Sequence, residues 1–340
     1  MYNKNTKILI TGGAGFIGTN LINDLLKKGH NPDSIAVIDN LSHGTFLDEV
    51  HGKLKYFYNE DIRNQYVEKI ISDFKPEYIF HFAGLVSIYD CNSNPYEAVD
   101  INVLGSINIL NAAVENNVNR VIFSETSAVY ENCEMGSNGY NENQSDPTTI
   151  YSTTKASLAL LAESYARTKG LKYTALRYFN VAGPLQDYDR TVPPVFAGFI
   201  LRIMGGHKPI IFGDPMKSRD YIDVDDVNDF HILCMKDQRT ENRTFNLGTG
   251  KDTNLLELKD IIGECMNVSN VQYNSYDAIA GEAVNIKADI SAATELGWVP
   301  KNDIKDTINK TIDYLKKEVK VGNINPKTFM ENIEIKKVKI

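Results

Sequence analysis

Lys7-Ile8-Leu9-Ile10-Thr11-Gly12-Gly13-Ala14-Gly15-Phe16-Ile17-Gly18 is the stretch that decides the fold. Ile8–Ile10 reads as a short buried strand, and helical periodicity runs from Ile17 to Lys28. Between them, Gly12, Gly15 and Gly18 permit a tight turn, close approach of backbone to a pyrophosphate, and close packing of helix on strand. The head of that helix, at Phe16 and Ile17, offers free N–H groups and the positive end of the helix dipole to phosphates. Glycine clusters are common in ordinary turns, so the context matters. A second strand ends at Asp39, about twenty residues on, where a carboxylate can accept hydrogen bonds from an adenosine ribose.

Asp39 also discriminates between cofactors. A carboxylate here repels a 2′-phosphate, and no Arg follows in Asn40-Leu41-Ser42-His43-Gly44. NAD is therefore expected rather than NADP.

Outward from this stretch the same rhythm repeats. Apolar runs at Ile35–Ile38, Leu54–Tyr58, Tyr78–Phe82, Val121–Phe123 and Tyr173–Leu176 predict strands, and helical patterns occupy Val67–Phe74, Val99–Asn116 and Thr153–Thr168. Near-continuous apolar strands separated by helices imply a parallel sheet covered on both faces. The expected class is α/β: a Rossmann-type doubly wound parallel sheet over residues 1–180, with a smaller C-terminal α/β lobe for substrate. After Asn180, Gly183-Pro184 and Pro193-Pro194 interrupt the chain. Helices are then predicted at Val195–Met204, Val224–Met235, Leu255–Cys265, Ile290–Leu296 and Ile304–Lys317, and a strand at Ile210–Phe212. Residues 181–221 and 251–325 are assigned to the lobe, about 222–250 to elements returning to the main sheet, and 326–340 to a tail.

Composition narrows the partners. The 340 residues are 42% hydrophobic and 24% charged, as in an ordinary globular protein of about two domains. A net charge of -8 argues against a nucleic-acid partner, although a few converging Arg or N–H groups can still hold a phosphorylated ligand. No apolar run approaches the ~20 residues that span a bilayer. The polar start, Met1–Lys7, is unlike a signal peptide. Cys91, Cys133, Cys234 and Cys265 are far apart, which predicts reduced thiols, a cytoplasmic location and no metal site. Asp223, Asp225 and Asp226 read as the cap and first turn of a helix. His30, His43, His51, His207 and His231 read as structural or solvent-facing, and His81 as a strand-end packing residue.

Tyr151 and Lys155 stand four apart, hence on one face if the helix includes both. A free tyrosine, with a pKa of ~10, is a poor base at neutral pH. A neighbouring ammonium and a positive nicotinamide ring favour its phenolate. Twenty-five residues earlier, Thr126 lies in Ser124-Glu125-Thr126-Ser127-Ala128-Val129-Tyr130, at the end of a sheet strand where ligands of such sheets bind.

These motifs, with His81-Phe82-Ala83-Gly84, Asn102, Arg177-Tyr178-Phe179-Asn180, Arg219-Asp220-Tyr221-Ile222 and Asn246-Leu247-Gly248-Thr249-Gly250, resemble the extended short-chain dehydrogenase/reductases. Asp39-Asn40-Leu41-Ser42 and His81-Phe82-Ala83-Gly84 are most like the UDP-glucose/UDP-galactose and UDP-N-acetylglucosamine 4-epimerases. The resemblance implies a nucleotide-sugar substrate, with a UDP-sugar favoured. It implies that Tyr151 takes the proton of the sugar 4-hydroxyl while hydride passes from carbon 4 to NAD. The 4-keto sugar then turns over, and hydride returns to its other face. Lys155 is expected to bond the nicotinamide ribose and Thr126 the sugar hydroxyl. Asn40, Phe82, Ala83, Gly84 and Asn102 are expected to border the cofactor, with Asp61 and Ile62 near the adenine. Tyr178 and Phe179 are expected to border nicotinamide and sugar, Asn180 and Arg219 to hold the diphosphate, and Ile286 to limit the sugar's 2-substituent. A homodimer through helices Val99–Asn116 and Thr153–Thr168 is also implied.

Two departures from the family pattern matter. Related 4,6-dehydratases carry Asp-Glu after the Thr, whereas this chain has Ser127 and Ala128, which argues against loss of water. The family also places an Arg on the diphosphate where this chain has Ile279, with Arg190, Arg202 or Lys217 as candidate substitutes. A 4-dehydrogenase would use the same residues as an epimerase. A non-catalytic dinucleotide sensor would not need Thr126, Tyr151 and Lys155 together.

Overall fold

A computed structural model describes residues 3–188, 193–278 and 285–328. Strands β1 (Ile8–Thr11), β2 (Ile35–Asp39), β3 (Tyr56–Asn59), β4 (Tyr78–His81), β5 (Arg120–Thr126), β6 (Tyr173–Tyr178) and β7 (Arg243–Leu247) form one sheet. Its order is β7-β6-β5-β4-β1-β2-β3, with every pair parallel. The winding direction reverses beside β1, which opens a crevice at the C-terminal ends of β1 and β4. Every residue of β1 and β2 is buried, as strands covered on both faces require.

The longer helices are α1 (Phe16–Lys27), α2 (Tyr66–Phe74), α3 (Ser106–Glu115), α4 (Ile150–Lys169), α5 (Val195–Met204), α6 (Val224–Lys236), α7 (Leu255–Cys265) and α8 (Ile304–Val321). Leu21 and Leu25 of α1 join Phe230 of α6 in the core on one face of the sheet. Ile70 of α2, Leu110 of α3 and Leu158 of α4 build the core on the other. Each fully buried aliphatic side chain contributes about 1.5–3 kcal/mol, more than a typical exposed ion pair. A third core, with Phe199 of α5, Leu258 of α7 and Ile308 of α8, belongs to the smaller lobe.

Three predicted elements differ from the structure. Val99–Asn116 is not one helix: Pro95–Val99 leads into a π-helical stretch, Asp100–Gly105, before α3. The stretch ends at Gly105, which packs against Ile62; the Ile62 Cδ1 would sit 2.7 Å from an added Cβ. The widened turn carries the buried Asn102. The third strand starts at Tyr56, because His51–Lys53 forms a 3-10 turn before it. The predicted helix Ile290–Leu296 shortens to Ser291–Thr294, and Gly297 follows at φ +86.

The lobe is joined to the sheet end by short strands. Asn180–Ala182 pairs in parallel with Tyr221–Asp223. Ser218–Arg219 lies between Thr253–Asn254 and Asn285–Ile286, with Arg219 in register with Ile286.

Candidate active site

The residues expected to hold the cofactor gather at the strand ends. Gly12 adopts φ +69, and a Cβ there would lie 2.6 Å from Ala83 N, so the loop touches the end of β4 with no room for a side chain. At the head of α1, Gly15 provides no side-chain cap, which leaves the first N–H groups to a ligand. The Asp39 carboxylate accepts from Ala14 N at 2.9 Å and Leu41 N at 2.8 Å, fixing the glycine loop while keeping lone pairs for a ribose. Asn40 Nδ2 donates to Asp61 at 2.9 Å, and Ile62 is buried beside it. This backbone cradle and carboxylate fit a dinucleotide with an unphosphorylated ribose.

At this end Arg63 carries no signal in the sequence reading, and His51, expected to be structural or solvent-facing, is structural. Arg63 grips Asp61 with Nε at 2.9 Å and Nη2 at 2.7 Å and reaches Asp100 at 3.1 Å, holding the Asp61 carboxyl down at about 2. Although no Arg follows Asp39 in sequence, the pairing of β2 with β3 brings a guanidinium near Asn40, already matched by two carboxylates. His51 is buried under the loop with Nε2 3.0 Å from Gly13 O, and Nδ1 accepts from Leu47 N at 2.9 Å. Nε2 therefore carries the proton, and burial pushes the imidazole pKa down.

At the end of β4, Phe82, Ala83 and Gly84 border the crevice. Asn102 locks this turn by accepting from Leu85 N at 2.7 Å and donating to Leu85 O at 2.9 Å and Thr154 Oγ1 at 3.0 Å. A Cβ on Gly84 would stand 2.9 Å from Asn102 Oδ1. His81 does more than pack: Nδ1 lies 2.7 Å from Thr11 Oγ1 and Nε2 2.8 Å from Ser106 Oγ. Burial first, then the Lys155 charge, pushes it down to about 3.

The residues expected to react lie at the head of α4 and the end of β5. Thr149 caps the helix and Ser152 bonds back to it, so Tyr151 and Lys155 fall within its first turns. Lys155 is 4% exposed and donates to Ser124 Oγ at 2.9 Å, two residues before Thr126. Burial lowers its pKa to about 8, opposed by the negative charge of Glu125. Thr126 Oγ1 accepts from Ala128 N at 3.2 Å, so its O–H can donate to a substrate. Glu125 itself is buried and bonds Arg177 Nε at 2.6 Å.

On the sugar side, Phe179 and Ile286 pack together with Tyr130 and Tyr140. Tyr178 is buried, and its hydroxyl lies 2.7 Å from His231 Nε2, so its polar end is engaged inside the core. Asn180 N donates to Asp220 O at 2.9 Å, while Arg219 Nη1 donates to Ser218 O at 2.9 Å. Between them the fully buried Asp220 accepts from Thr249 N, Thr249 Oγ1, Gly250 N and Ala288 N, holding three segments together. Phe212 and Tyr276 form a ring pair at 5.9 Å, a feature invisible before strands Ile210–Phe212 and Asn274–Tyr276 were seen to pair.

Ile279 and Arg190 lie outside the described residues. Arg202 is buried on α5 and its Nε donates to Lys208 O, which gives it a structural task. Lys217, next to Ser218 and Arg219, has its Nζ 3.3 Å from the position of a Cβ on Gly213. The acidic run caps α6: Asp223 accepts from Asp225 N, and Asp226 accepts from Lys301 N and Asn302 N. Among the described residues no cluster of three His, Cys, Asp or Glu could hold a metal, and no helix is long and apolar enough to cross a membrane.

Known proteins share this arrangement. A UDP-glucose 4-epimerase of Lactobacillus helveticus is 32% identical over 321 residues, covering 90% of this chain and 95% of the relative. A dTDP-glucose 4,6-dehydratase of Streptomyces antibioticus is 31% identical, covering 90% and 91%. Among solved structures, the UDP-glucose 4-epimerase of Thermotoga maritima with UDP-glucose has 32% identity and a TM-score of 0.86, covering 92% of this chain and 100% of that one. The UDP-N-acetylglucosamine 4-epimerase of Methanobrevibacter ruminantium M1, in complex with UDP-N-acetylmuramic acid, has 31% identity and a TM-score of 0.84, covering 92% and 99%. The glycine loop, the Tyr151–Lys155 helix and the strands that carry them all fall within residues 8–248, which match the model of the NAD dependent epimerase/dehydratase family, and the chain belongs to that family.

Proposed function

We propose that the chain is an NAD-dependent 4-epimerase of UDP-sugars. The observation that carries this reading is the buried Lys155, one turn after Tyr151 in α4 and bonded to Ser124 near the strand end that bears Thr126, with no acid pair after it. The glycine loop and Asp39 would hold NAD, which when bound supplies a hydride acceptor, and then a hydride donor, for sugar carbon 4. Tyr151, as phenolate, takes the proton of the 4-hydroxyl and returns it after the sugar has turned over. Lys155 stabilises that phenolate through its charge, and the Thr126 hydroxyl holds the same sugar oxygen. Asn180 and Arg219 hold the diphosphate, while Phe179 and Ile286 wall the sugar. Dehydration would need an acid and a base where Ser127 and Ala128 stand.

The test is to offer UDP-glucose, UDP-galactose and their N-acetylamino counterparts and identify every product. The expected result is interconversion of 4-epimers without free NADH. Net NADH or a dehydrated sugar would overturn the reading.

The enzyme is further proposed to work as a homodimer in the cytoplasm. Exposed apolar residues around the expected pairing helices support the dimer: Tyr96 is 89% exposed, Leu160 68%, Leu104 52% and Val99 44%. Its mass in solution tests this, and Leu160→Asp is expected to yield monomer. The four separate thiols suit a reducing compartment.

A further inference from the structure

We propose that Glu131 is a positioning residue for sugar oxidation, holding the head of α4 at a fixed distance from the end of β5. The proposal rests on the epimerase reading for its catalytic consequence. Thr126 ends β5, a 3-10 turn over Ser127–Tyr130 follows, and Glu131 comes next. The chain then departs, returns to the turn at Asp146, and reaches Glu131 from Thr148 onward. Glu131 Oε2 accepts from Thr148 N at 2.8 Å, Thr148 Oγ1 at 2.7 Å, Thr149 N at 3.0 Å and Ser152 Oγ at 2.8 Å. Its Oε1 accepts from Thr149 Oγ1 at 3.1 Å.

One carboxylate thus gathers two backbone N–H groups and three hydroxyls at the start of the helix that presents Tyr151. An anion is also favoured at this point, because the helix head carries partial positive charge. Among the described residues no cation forms an ion pair with it, so these donors are its partners. Other ties lie on either side: Asp146 N to Val129 O at 2.7 Å and Asn132 Nδ2 to Asp146 at 2.7 Å before the helix begins, and Lys155 Nζ to Ser124 Oγ at 2.9 Å one turn into it.

Thr126 and Tyr151 must reach the same sugar oxygen, and Glu131 joins the two elements that bear them. Small errors in such a spacing are expensive in rate, since a misplacement of about 1 Å can cost ~10²-fold. Nothing in the clamp touches the glycine loop or the lobe, so binding of NAD and of the sugar's nucleotide end should be spared.

The test compares wild type with Glu131→Gln, which keeps the size but turns one acceptor into a donor, and Glu131→Asp, which keeps both acceptors. For Glu131→Gln the expected kcat is lower by about 10- to 100-fold, with KM for the UDP-sugar within about threefold and bound NAD undiminished. Glu131→Asp should recover part of that loss. Amide hydrogen exchange at residues 152–155 should quicken by about tenfold, while residues 158–166 keep the wild-type rate. Wild-type kcat in Glu131→Gln overturns the proposal even if its Tm falls, and so does a lost kcat with an unchanged helix head. If wild type turns over no UDP-sugar, the epimerase reading fails on its own. The exchange measurement then decides whether Glu131 holds the helix head.

Discussion

The cofactor end and the sugar end of this crevice are built on different principles. At the end proposed for the cofactor the candidate contacts are mostly backbone: the glycine loop, the uncapped head of α1, and an Asp whose carboxylate is fixed by two N–H groups. At the end proposed for the sugar the candidates are side chains from distant segments, Phe179, Arg219 and Ile286, brought together by pairs of very short strands. A backbone grip tolerates few changes of sequence, because a Cβ in the wrong place is fatal. A side-chain grip can change with single substitutions while the fold persists.

The contrast can be tested by mutation, beginning with the reacting group between the two ends. Tyr151→Phe should lower turnover by ~10²-fold or more while NAD remains bound, measured by kcat and by cofactor content. Normal turnover in this variant would remove Tyr151 from the mechanism. Gly12→Ala places a Cβ 2.6 Å from Ala83 N at φ +69, a strain of about 1–3 kcal/mol. NAD affinity should fall by about 10- to 100-fold in a titration. Unchanged affinity would show that the loop yields more than the contact distances allow.

Restoring the family residue sharpens the comparison from the other side. One charged hydrogen bond contributes ~1.5–3 kcal/mol, so Ile279→Arg should tighten UDP-hexose binding by about 10-fold or more. No gain, measured by calorimetry, would mean that the sugar end is shaped around another nucleotide sugar.

The smallest effect is in pH. Burial depresses Lys155 to about 8, so its ammonium is present below that value and lost as pH rises through it. Activity that needs the ammonium should drop by about twofold at pH 8 relative to its plateau. Lys155→Arg, charged throughout, should lack this alkaline limb, whatever its absolute rate. Since the unfolded chain holds this proton up to the ordinary 10.5, Lys155's contribution to stability rises with pH between about 8 and 10.5.

The same division explains what could be read before any coordinates. Strands β1, β2 and β4 and helices α1 and α7 follow from periodicity and glycine spacing, which are local properties of the chain. Asp39, Tyr151 and Lys155 can be nominated from sequence because each stands at a fixed offset from such a local signal. Asn102 can be nominated from its motif, but the π-helical turn that carries it has no local periodic signal. Glu131 and the Phe212–Tyr276 pair carry no such signal, because their partners lie on other segments that only the folded chain brings together. Arg63 is local to Asp61, but only tertiary pairing carries it to Asp100 and beside Asn40.

The most direct test of epimerisation follows one atom. UDP-glucose carrying deuterium at carbon 4 is incubated with the enzyme in ordinary water, and the sugars and any free NADH are examined by mass spectrometry and NMR. The account predicts that the label stays on carbon 4 of both 4-epimers, because the hydrogen leaves and returns within one closed site. Label in released NADH, on another carbon, or lost to water would contradict it.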